Sequence, residues 1–203
     1  METLSVGMGV PREAGPFRRP ELVELKRLIP TIRLDIRYAT ANNFVGRPVY
    51  TEARAFLQRP AAEALARVER SFRRQGYGLI VYDGYRPWSV TKLFWELTPE
   101  DKKQFVADPR RGSRHNRGCA VDVSLFDLKT GRAVIMPSDF DDTSERAYIA
   151  YTGGSRQARQ HRDLLCAAME AEGFSVYEHE WWHYNYHDWK AYPLLDIPFE
   201  KLR

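Results

Sequence analysis

The chain has 203 residues, 43% of them hydrophobic and 29% charged, which is typical of one folded globular domain and excludes a disordered chain. Its net charge is only +4 and its basic residues are scattered, apart from a small group at residues 110–117. A nucleic-acid-binding protein usually concentrates basic residues on one helix or stripe, so we predict no nucleic-acid partner.

Two further exclusions concern location. Residues 1–20 lack the apolar segment of a secretory signal, and no window approaches the roughly 18 apolar residues of a membrane span. Two cysteines, Cys119 and Cys166, are too few for a disulfide framework. We therefore expect a cytoplasmic protein with no membrane partner. The sequence does not indicate an oligomeric state.

Residues 1–20 are rich in Gly, Pro and Arg and are expected to form a loose N-terminal arm, with the domain proper at 21–203. Apolar alternation predicts a strand over 28–38, and 3.6-residue periodicity predicts a helix opened by Pro60 and ending near Arg74. A short buried strand is predicted at 79–82.

The second half of the chain alternates helices and strands. Helices are predicted at 89–97, 99–106 and 155–172, the last capped by Gly173, and strands at 174–177 and 182–186. A hairpin is predicted from 120–126 through a turn into 132–136. The order predicts an α+β fold, a compact single domain with a central antiparallel sheet flanked by helices.

Two clusters of ionisable residues point to chemistry. Ser113–Asp122 places a histidine and a carboxylate seven residues apart, and the later run Glu178–His183 adds another histidine and a free acid. His115, Asp122 and His183 could supply three ligands to a catalytic zinc ion with one open position. Glu180, left over, could serve as the base for the attacking water.

The spacing of the second cluster raises a geometric difficulty. Glu180 and His183 are three residues apart, so a regular strand would send them to opposite faces. We therefore expect a kink or bulge here, anchored in the core by Trp181 and Trp182. Of the other histidines, His161 is expected at the solvated surface of its helix, whereas His179 and His187 could be ligands by proximity alone.

Five segments together resemble the D-alanyl-D-alanine dipeptidases, the VanX-type zinc peptidases. They include Ser113-x-His115-x-x-Gly118-x-Ala120-x-Asp122 and Glu180-Trp181-Trp182-His183. The others are Asp35–Thr40 with Asn43-Phe44, Tyr82–Pro87, and Met136–Asp141, all in the order of the family. Cys119 and Pro137 depart from the small hydroxyl residue and the glycine that are usual there.

The resemblance implies roles for individual residues. His115, Asp122 and His183 would bind one zinc ion per chain, and Glu180 would be the general base. Arg86 would stabilise the oxyanion of the tetrahedral intermediate. Asp141 and Tyr38 would hold the ammonium group of the substrate, and Ser113 its carboxylate end. Without the resemblance, Arg86 would be taken for a surface residue in a turn, the acidic run around Asp141 for a solvated loop, and Tyr38 for strand packing.

The function that follows is zinc-dependent hydrolysis of the small dipeptide D-Ala-D-Ala to two D-alanines. Loss of the dipeptide would starve peptidoglycan synthesis, as in antibiotic resistance, or recover the dipeptide as a nutrient. One alternative is a D,D-carboxypeptidase acting on peptidoglycan precursors, which would need an open groove. Another is a non-catalytic zinc-binding module of the same fold, which could dispense with Glu180.

Overall fold

A computed structural model describes residues 9–202. Its strands, in chain order, are β1 (Leu22–Glu24), β2 (Arg33–Leu34), β3 (Phe56–Gln58), β4 (Tyr77–Asp83), β5 (Ala120–Asp127), β6 (Phe174–Tyr177) and β7 (Glu180–Tyr186). Its helices are α1 (Leu25–Leu28), α2 (Arg59–Arg74), α3 (Trp88–Leu97) and α4 (Arg156–Ala171). Short 3₁₀ turns at 37–39, 100–105 and 115–117 join several of these elements.

The main sheet has five strands in the order β2-β4-β5-β7-β6. Its neighbouring strands are antiparallel except β2 and β4, which pair in parallel over two residues. A small antiparallel sheet joins β1 to β3. The predicted α+β domain with a mainly antiparallel central sheet is confirmed.

The two long helices follow the sequence closely. Helix α2 begins one residue before Pro60 and buries the predicted apolar face, which includes Leu65, Val68 and Phe72. Helix α4 begins after Ser155, whose hydroxyl accepts a hydrogen bond from the Ala158 N–H. Both helices pack against the main sheet and against each other. Because the strands and helices bury one common core, the sheet is held rigidly beneath the site.

The strand predicted over residues 28–38 is wrong. This segment instead contains the end of α1, the two-residue strand β2 and a 3₁₀ turn at 37–39. The alternating apolar residues Ile32, Ile36 and Tyr38 are buried as predicted, but they enter the core from turns. Tyr38 uses its carbonyl to accept the N–H groups of Val49 and Tyr50, so its backbone bonds go to a loop rather than to a sheet.

The predicted hairpin into residues 132–136 forms only at its turn, and its returning strand is too long in the prediction. β5 forms as expected, but the returning segment makes one isolated bridge, between Phe126 and Ala133, and then leaves the sheet. Ile135 is 61% exposed, and Pro137 has no N–H with which to continue a ladder. The segment departs toward the loop that carries Asp141.

The N-terminal segment has no helix or strand between residues 9 and 20. Within it, Glu13 is ion-paired with Arg117 and Arg18 with Asp188. The predicted arm also includes residues 1–8, which lie outside the described residues, and the boundary at residue 20 stays a prediction. Among residues 9–202, no helix has the length and apolar character needed to cross a membrane.

Candidate active site

Three adjacent strands bring the acidic and histidine residues into one row across the sheet. Asp122 of β5 lies opposite His183 of β7 on one side and opposite Asp83 of β4 on the other. His115 comes from the 3₁₀ turn just before β5. Gly118 closes that turn at φ 67°, and an added Cβ there would clash with the Leu22 side chain. This backbone turn, expected from the glycine, places His115 above the start of β5.

His115, Asp122 and His183 form a cluster whose ligand atoms lie within 4.8 Å of one another. The His115 Nε2 atom is 3.1 Å from His183 Nδ1 and 3.5 Å from Asp122 Oδ1. His183 Nδ1 is 3.0 Å from the same Asp122 oxygen. His115 and Asp122 are each 3% exposed, so the cluster is shielded from water on the side of the sheet.

The outer hydrogen bonds of the two histidines fix their tautomers. His115 Nδ1 lies 2.7 Å from the Gly84 carbonyl, which can only accept, so this nitrogen carries a proton, and in the neutral imidazole Nε2 has the free lone pair. His183 Nε2 donates in the same way to Asn185 Oδ1 at 2.9 Å, so Nδ1 has the free lone pair when this imidazole is neutral. With both imidazoles neutral, two nitrogen lone pairs and a carboxylate oxygen would converge on one point, an arrangement that a divalent cation would satisfy.

The charge state of Asp122 suits such a cation. Burial alone would raise the pKa of Asp122, but His115 and His183 outweigh burial and bring the pKa well below its usual range. Asp122 is therefore a carboxylate at neutral pH. The donor set contains nitrogen and oxygen atoms and no sulfur, which fits the ligands of catalytic zinc sites.

An irregularity in β7 resolves the spacing of Glu180 and His183. The register with β6 shifts so that Val176 lies opposite Tyr184 while the next residue, Tyr177, lies opposite Glu180. The chain therefore bulges between Glu180 and Tyr184. As a result a Glu180 carboxylate oxygen comes within 3.8 Å of His183 Nδ1, on the same side as the cluster.

The surroundings of Glu180 raise the pKa of its carboxyl group, which makes the carboxylate a better proton acceptor. Burial raises its pKa to about 7, and the charges of Asp122 and Asp141 add to this while His183 and Arg86 oppose it. A carboxylate with a pKa near neutrality holds a proton more readily than an ordinary one. Glu180 is next to the cluster but makes no part of it.

Trp181 and Trp182 anchor the bulge, in the core positions expected for them. Trp181 is 1% exposed and its Nε1–H donates to the Ser138 hydroxyl at 2.9 Å. Trp182 packs edge-on against Phe140, with ring centroids 5.4 Å apart. Since Ser138 and Phe140 belong to the loop that carries Asp141, the two tryptophans fix that loop to β7.

Asp141 is held in an unusual conformation inside the site. Its φ of 64° is the one positive value among the described non-glycine residues. The Tyr38 hydroxyl donates to its carboxylate, at 3.0 Å to one oxygen and 3.2 Å to the other. Burial raises the pKa of Asp141 to about 7, and repulsion from Asp122 adds to the shift. A carboxylate this poorly solvated would be stabilised by a cationic ligand.

Arg86 is buried rather than exposed in a turn. Its Nε and Nη2 atoms donate to one oxygen of Asp83, at 3.0 and 2.7 Å. The other oxygen of Asp83 accepts the Tyr50 hydroxyl and the Gly84 N–H, at 2.8 and 2.9 Å. The guanidinium also lies 4.9 Å from the ring centre of Phe94. Arg86 is therefore a permanent, fixed positive charge.

Ser113 lies two residues before His115, at the start of the segment that leads into β5. Its N–H donates to Asn116 Oδ1 at 2.7 Å, and its Oγ accepts the N–H of His115 at 3.2 Å. The hydroxyl thus holds the backbone of His115 and keeps its own proton for another acceptor.

The two departures from the family pattern leave the cluster intact. Cys119 is fully buried, and its thiol lies 3.5 Å from the Arg117 carbonyl. Burial raises the pKa of that thiol far above its usual range, so Cys119 is a neutral core residue. The Pro137 carbonyl accepts from Arg146 Nε at 3.2 Å, which ties the start of the Asp141 loop in place.

The remaining histidines lie elsewhere. His161 is 8% exposed and its Nδ1 lies 2.9 Å from the Ile135 carbonyl, so the prediction of a solvated surface residue is wrong. The side chain of His179 is 48% exposed, and His187 lies beside the Gly173 carbonyl. Neither belongs to the His115 cluster.

Two supporting residues were not predicted. Asp83 lies in the Tyr82–Pro87 segment three residues before Arg86, and an acid at that spacing is a signal for an ion pair. Asn185 follows His183 by two positions, and residues at that spacing share a face of a strand. A polar side chain there could have been recognised as the partner of a histidine ligand.

The fold and this site together define a metallopeptidase. Three converging side chains that could bind a metal, with a further carboxylate beside them, are the components of a metal-dependent hydrolase. The chain belongs to the peptidase M15 family described as D-ala-D-ala dipeptidase, whose family model matches residues 18–199.

Named relatives share most of their length with the chain. It is 35% identical over 179 residues to the D-alanyl-D-alanine dipeptidase of Escherichia coli K12, covering 88% of this chain and 91% of the relative. It is 36% identical over 194 residues to the D-alanyl-D-alanine dipeptidase of Enterococcus faecium, and the match covers 86% of this chain and 96% of the relative. It is 35% identical to the D-alanyl-D-alanine dipeptidase of Enterococcus faecalis V583, and the match covers 86% of this chain and 92% of the relative.

Family membership confirms the resemblance seen in the motifs. It also confirms the predicted class of enzyme, a peptidase that hydrolyses the dipeptide D-Ala-D-Ala.

Proposed function

We propose that this enzyme hydrolyses D-Ala-D-Ala with one zinc ion per chain, held by His115 Nε2, Asp122 and His183 Nδ1. The observation that carries the proposal is the convergence of these three possible ligand atoms within 4.8 Å, with Glu180 beside them. Gly84 and Asn185 support it because they hold the protons of both histidines on the outer nitrogens. When bound, zinc lowers the pKa of a water molecule to about 7 and polarises the scissile carbonyl.

Glu180 is proposed as the general base. Its carboxylate is near the cluster yet free of it, so it can accept a proton from the attacking water and return it to the leaving amine. The bulge in β7 is what makes this possible, because in a regular strand the carboxylate would point to the other face of the sheet.

Arg86 is proposed to stabilise the negative charge that develops on the carbonyl oxygen. The Asp83 carboxylate fixes the guanidinium before the substrate arrives, so little reorganisation is needed during the reaction. Asp83 is thus a positioning residue.

Asp141, with Tyr38, is proposed to bind the ammonium group of the substrate, and Ser113 to donate to its carboxylate. An ammonium group would replace the missing solvation of Asp141, whereas an acylated nitrogen would leave that carboxylate buried and unpaired. The site should therefore prefer a free dipeptide over a longer peptide with the same two terminal residues.

The preferred substrate distinguishes a dipeptidase from the alternative, a D,D-carboxypeptidase. We expect D-Ala-D-Ala to be cleaved at least ~100-fold more efficiently, as kcat/KM, than its N-acetyl derivative, since an unpaired buried polar group is costly. In Asp141→Asn this ratio should collapse, and in Asp139→Asn, the exposed neighbour, it should not. A preference of the wild type for the acetylated substrate would establish the carboxypeptidase instead.

Substitution of the proposed general base distinguishes an enzyme from the other alternative, a non-catalytic zinc-binding module. Glu180→Ala should lose activity by roughly 10²–10⁴-fold, the usual contribution of a general base, while zinc content stays near one per chain. Glu178→Ala is the matched control, since Glu178 is an acid in the same motif with a side chain 76% exposed. Equal activity of the Glu180→Ala variant and the wild type would refute the assigned role.

We also propose a cytoplasmic location, which the two unpaired cysteines support. Hydrolysis there would withdraw the dipeptide from peptidoglycan synthesis. Fractionation of cells that carry the gene tests the location, and recovery of the enzyme outside the cytoplasm would refute it.

A further inference from the structure

A cleft of about 240 Å³ has Asp141 among the residues of its wall. Its walls come from the loop after the 3₁₀ turn at 37–39 and from the Asp141 loop, and include Arg37, Ala41, Asn42, Phe44, Phe140 and Asp141. A water molecule occupies about 30 Å³ in the liquid, so the cleft is far larger than the methyl group of alanine requires. The proposed roles of the other residues leave this space without a function.

The position of the cleft identifies which part of a substrate would reach it. If Asp141 binds the ammonium group, the side chain of the amino-terminal residue starts only two bonds away, on the α-carbon. The second residue lies on the other side of the scissile bond, farther from Asp141. A side chain on the first residue is therefore the group best placed to enter the cleft.

The chemistry of the walls indicates the kind of side chain. Arg37 uses its Nε to bind Asp35 at 2.8 Å, and among the described residues its terminal nitrogens have no hydrogen-bond partner. Asn42 is exposed, and no hydrogen bond of its side-chain amide is present in residues 9–202. These donors suit a polar side chain with acceptor oxygens, and Phe44 and Phe140 can cover its carbon chain.

Building on the proposed function, we propose that the cleft is a specificity pocket for the amino-terminal residue. The enzyme would hydrolyse dipeptides whose first residue has a polar side chain with acceptor oxygens, such as D-Asn-D-Ala and D-Glu-D-Ala, as well as D-Ala-D-Ala. The Arg37 guanidinium would favour the carboxylate of D-Glu over an aliphatic side chain of similar size.

The proposed pocket can be tested by filling the cleft with a larger side chain. Ala41 is exposed and lines the pocket, so Ala41→Phe adds a ring there without entering the core. Ala171→Phe is the matched control, since Ala171 is an exposed residue at the end of α4. The ratio of kcat/KM for D-Asn-D-Ala to that for D-Ala-D-Ala is measured in all three zinc-loaded proteins, with D-Leu-D-Ala as the aliphatic comparison.

In the wild type we expect D-Asn-D-Ala to be cleaved within about tenfold of D-Ala-D-Ala and better than D-Leu-D-Ala, since pocket contacts of this size are worth about 10–200-fold. Ala41→Phe should lower the ratio at least ~10-fold and Ala171→Phe should leave it unchanged. A wild type that cleaves D-Ala-D-Ala but neither larger dipeptide, or a ratio unmoved by Ala41→Phe, would overturn the pocket and leave the proposed function standing. Failure to cleave D-Ala-D-Ala itself would instead count against the proposed function.

Discussion

The buried ion pair between Asp83 and Arg86 allows the electrostatic account to be tested by a single substitution, Asp83→Asn. The pair is joined at 2.7 and 3.0 Å, with side chains 1% and 11% exposed. The asparagine keeps the shape of the side chain but removes the charge, so the guanidinium stays buried without a counter-ion. Removing one partner of such a pair costs about 3–5 kcal/mol.

The chain supplies a matched control in Asp35 and Arg37. This pair has nearly the same nitrogen–oxygen distance, 2.8 Å, but its side chains are 46% and 27% exposed. Water and salt screen it, so Asp35→Asn should cost less than about 1 kcal/mol. The two substitutions differ in burial and in hydrogen bonding, because Asp83 also accepts from the Tyr50 hydroxyl and the Gly84 N–H.

The assay is urea unfolding of the metal-free proteins near neutral pH, followed by tryptophan fluorescence. We expect the free energy of unfolding to fall about 3–5 kcal/mol for Asp83→Asn, and the slope against urea to stay as in the wild type. If Asp83→Asn cost no more than Asp35→Asn, the description of Arg86 as a charge held in place by Asp83 would be refuted.

Two further predictions concern the metal ligands and the buried acid. Asn185→Leu removes the acceptor for His183 Nε2, so zinc affinity, measured by competition with a chelator, should fall roughly 10–100-fold; unchanged affinity would show that Asn185 does not orient the ligand. Asp141 has a pKa of about 7 in the fold, well above its ordinary value of about 3.9, so the metal-free folded state binds more protons than the unfolded chain between these pH values. Its contribution to stability is therefore present at low pH and lost as pH rises from about 4 to about 7, by up to about 4 kcal/mol. Urea unfolding across this range should show a smaller decline in Asp141→Asn, and parallel declines in both proteins would contradict the raised pKa.

The sequence predicts those features that depend on local pattern. The apolar face of α2, the Ser155–Gly173 limits of α4 and the glycine turn after His115 all follow from periodicity and backbone preference. The need for a bulge near Glu180 also followed from the sequence alone, because strand geometry forbids two residues three apart from sharing a face.

The errors share a different cause. The 132–136 segment alternates like a strand, yet it leaves β5 after one bridge and lays the Ile135 carbonyl against His161 on α4. His161 has polar neighbours in sequence, so its burial depends wholly on that long-range contact. Similarly, Ile32, Ile36 and Tyr38 are buried as an alternating pattern requires, but turns rather than a strand place them there. The burial of apolar residues such as Ile32, Ile36 and Tyr38 can be predicted from an alternating pattern, whereas the backbone segment with which they pair cannot.

The most direct test of the account is zinc content per chain after exhaustive dialysis, measured together with D-Ala-D-Ala hydrolysis in the wild type, Asp122→Ala and Asp188→Ala. Asp188 is an acid outside the cluster and serves as the control. We predict one zinc per chain and full activity in the wild type and the control, with both lost in Asp122→Ala. Retention of one zinc by the Asp122→Ala variant, or a zinc-free wild type that remains fully active, would contradict the proposed metal centre.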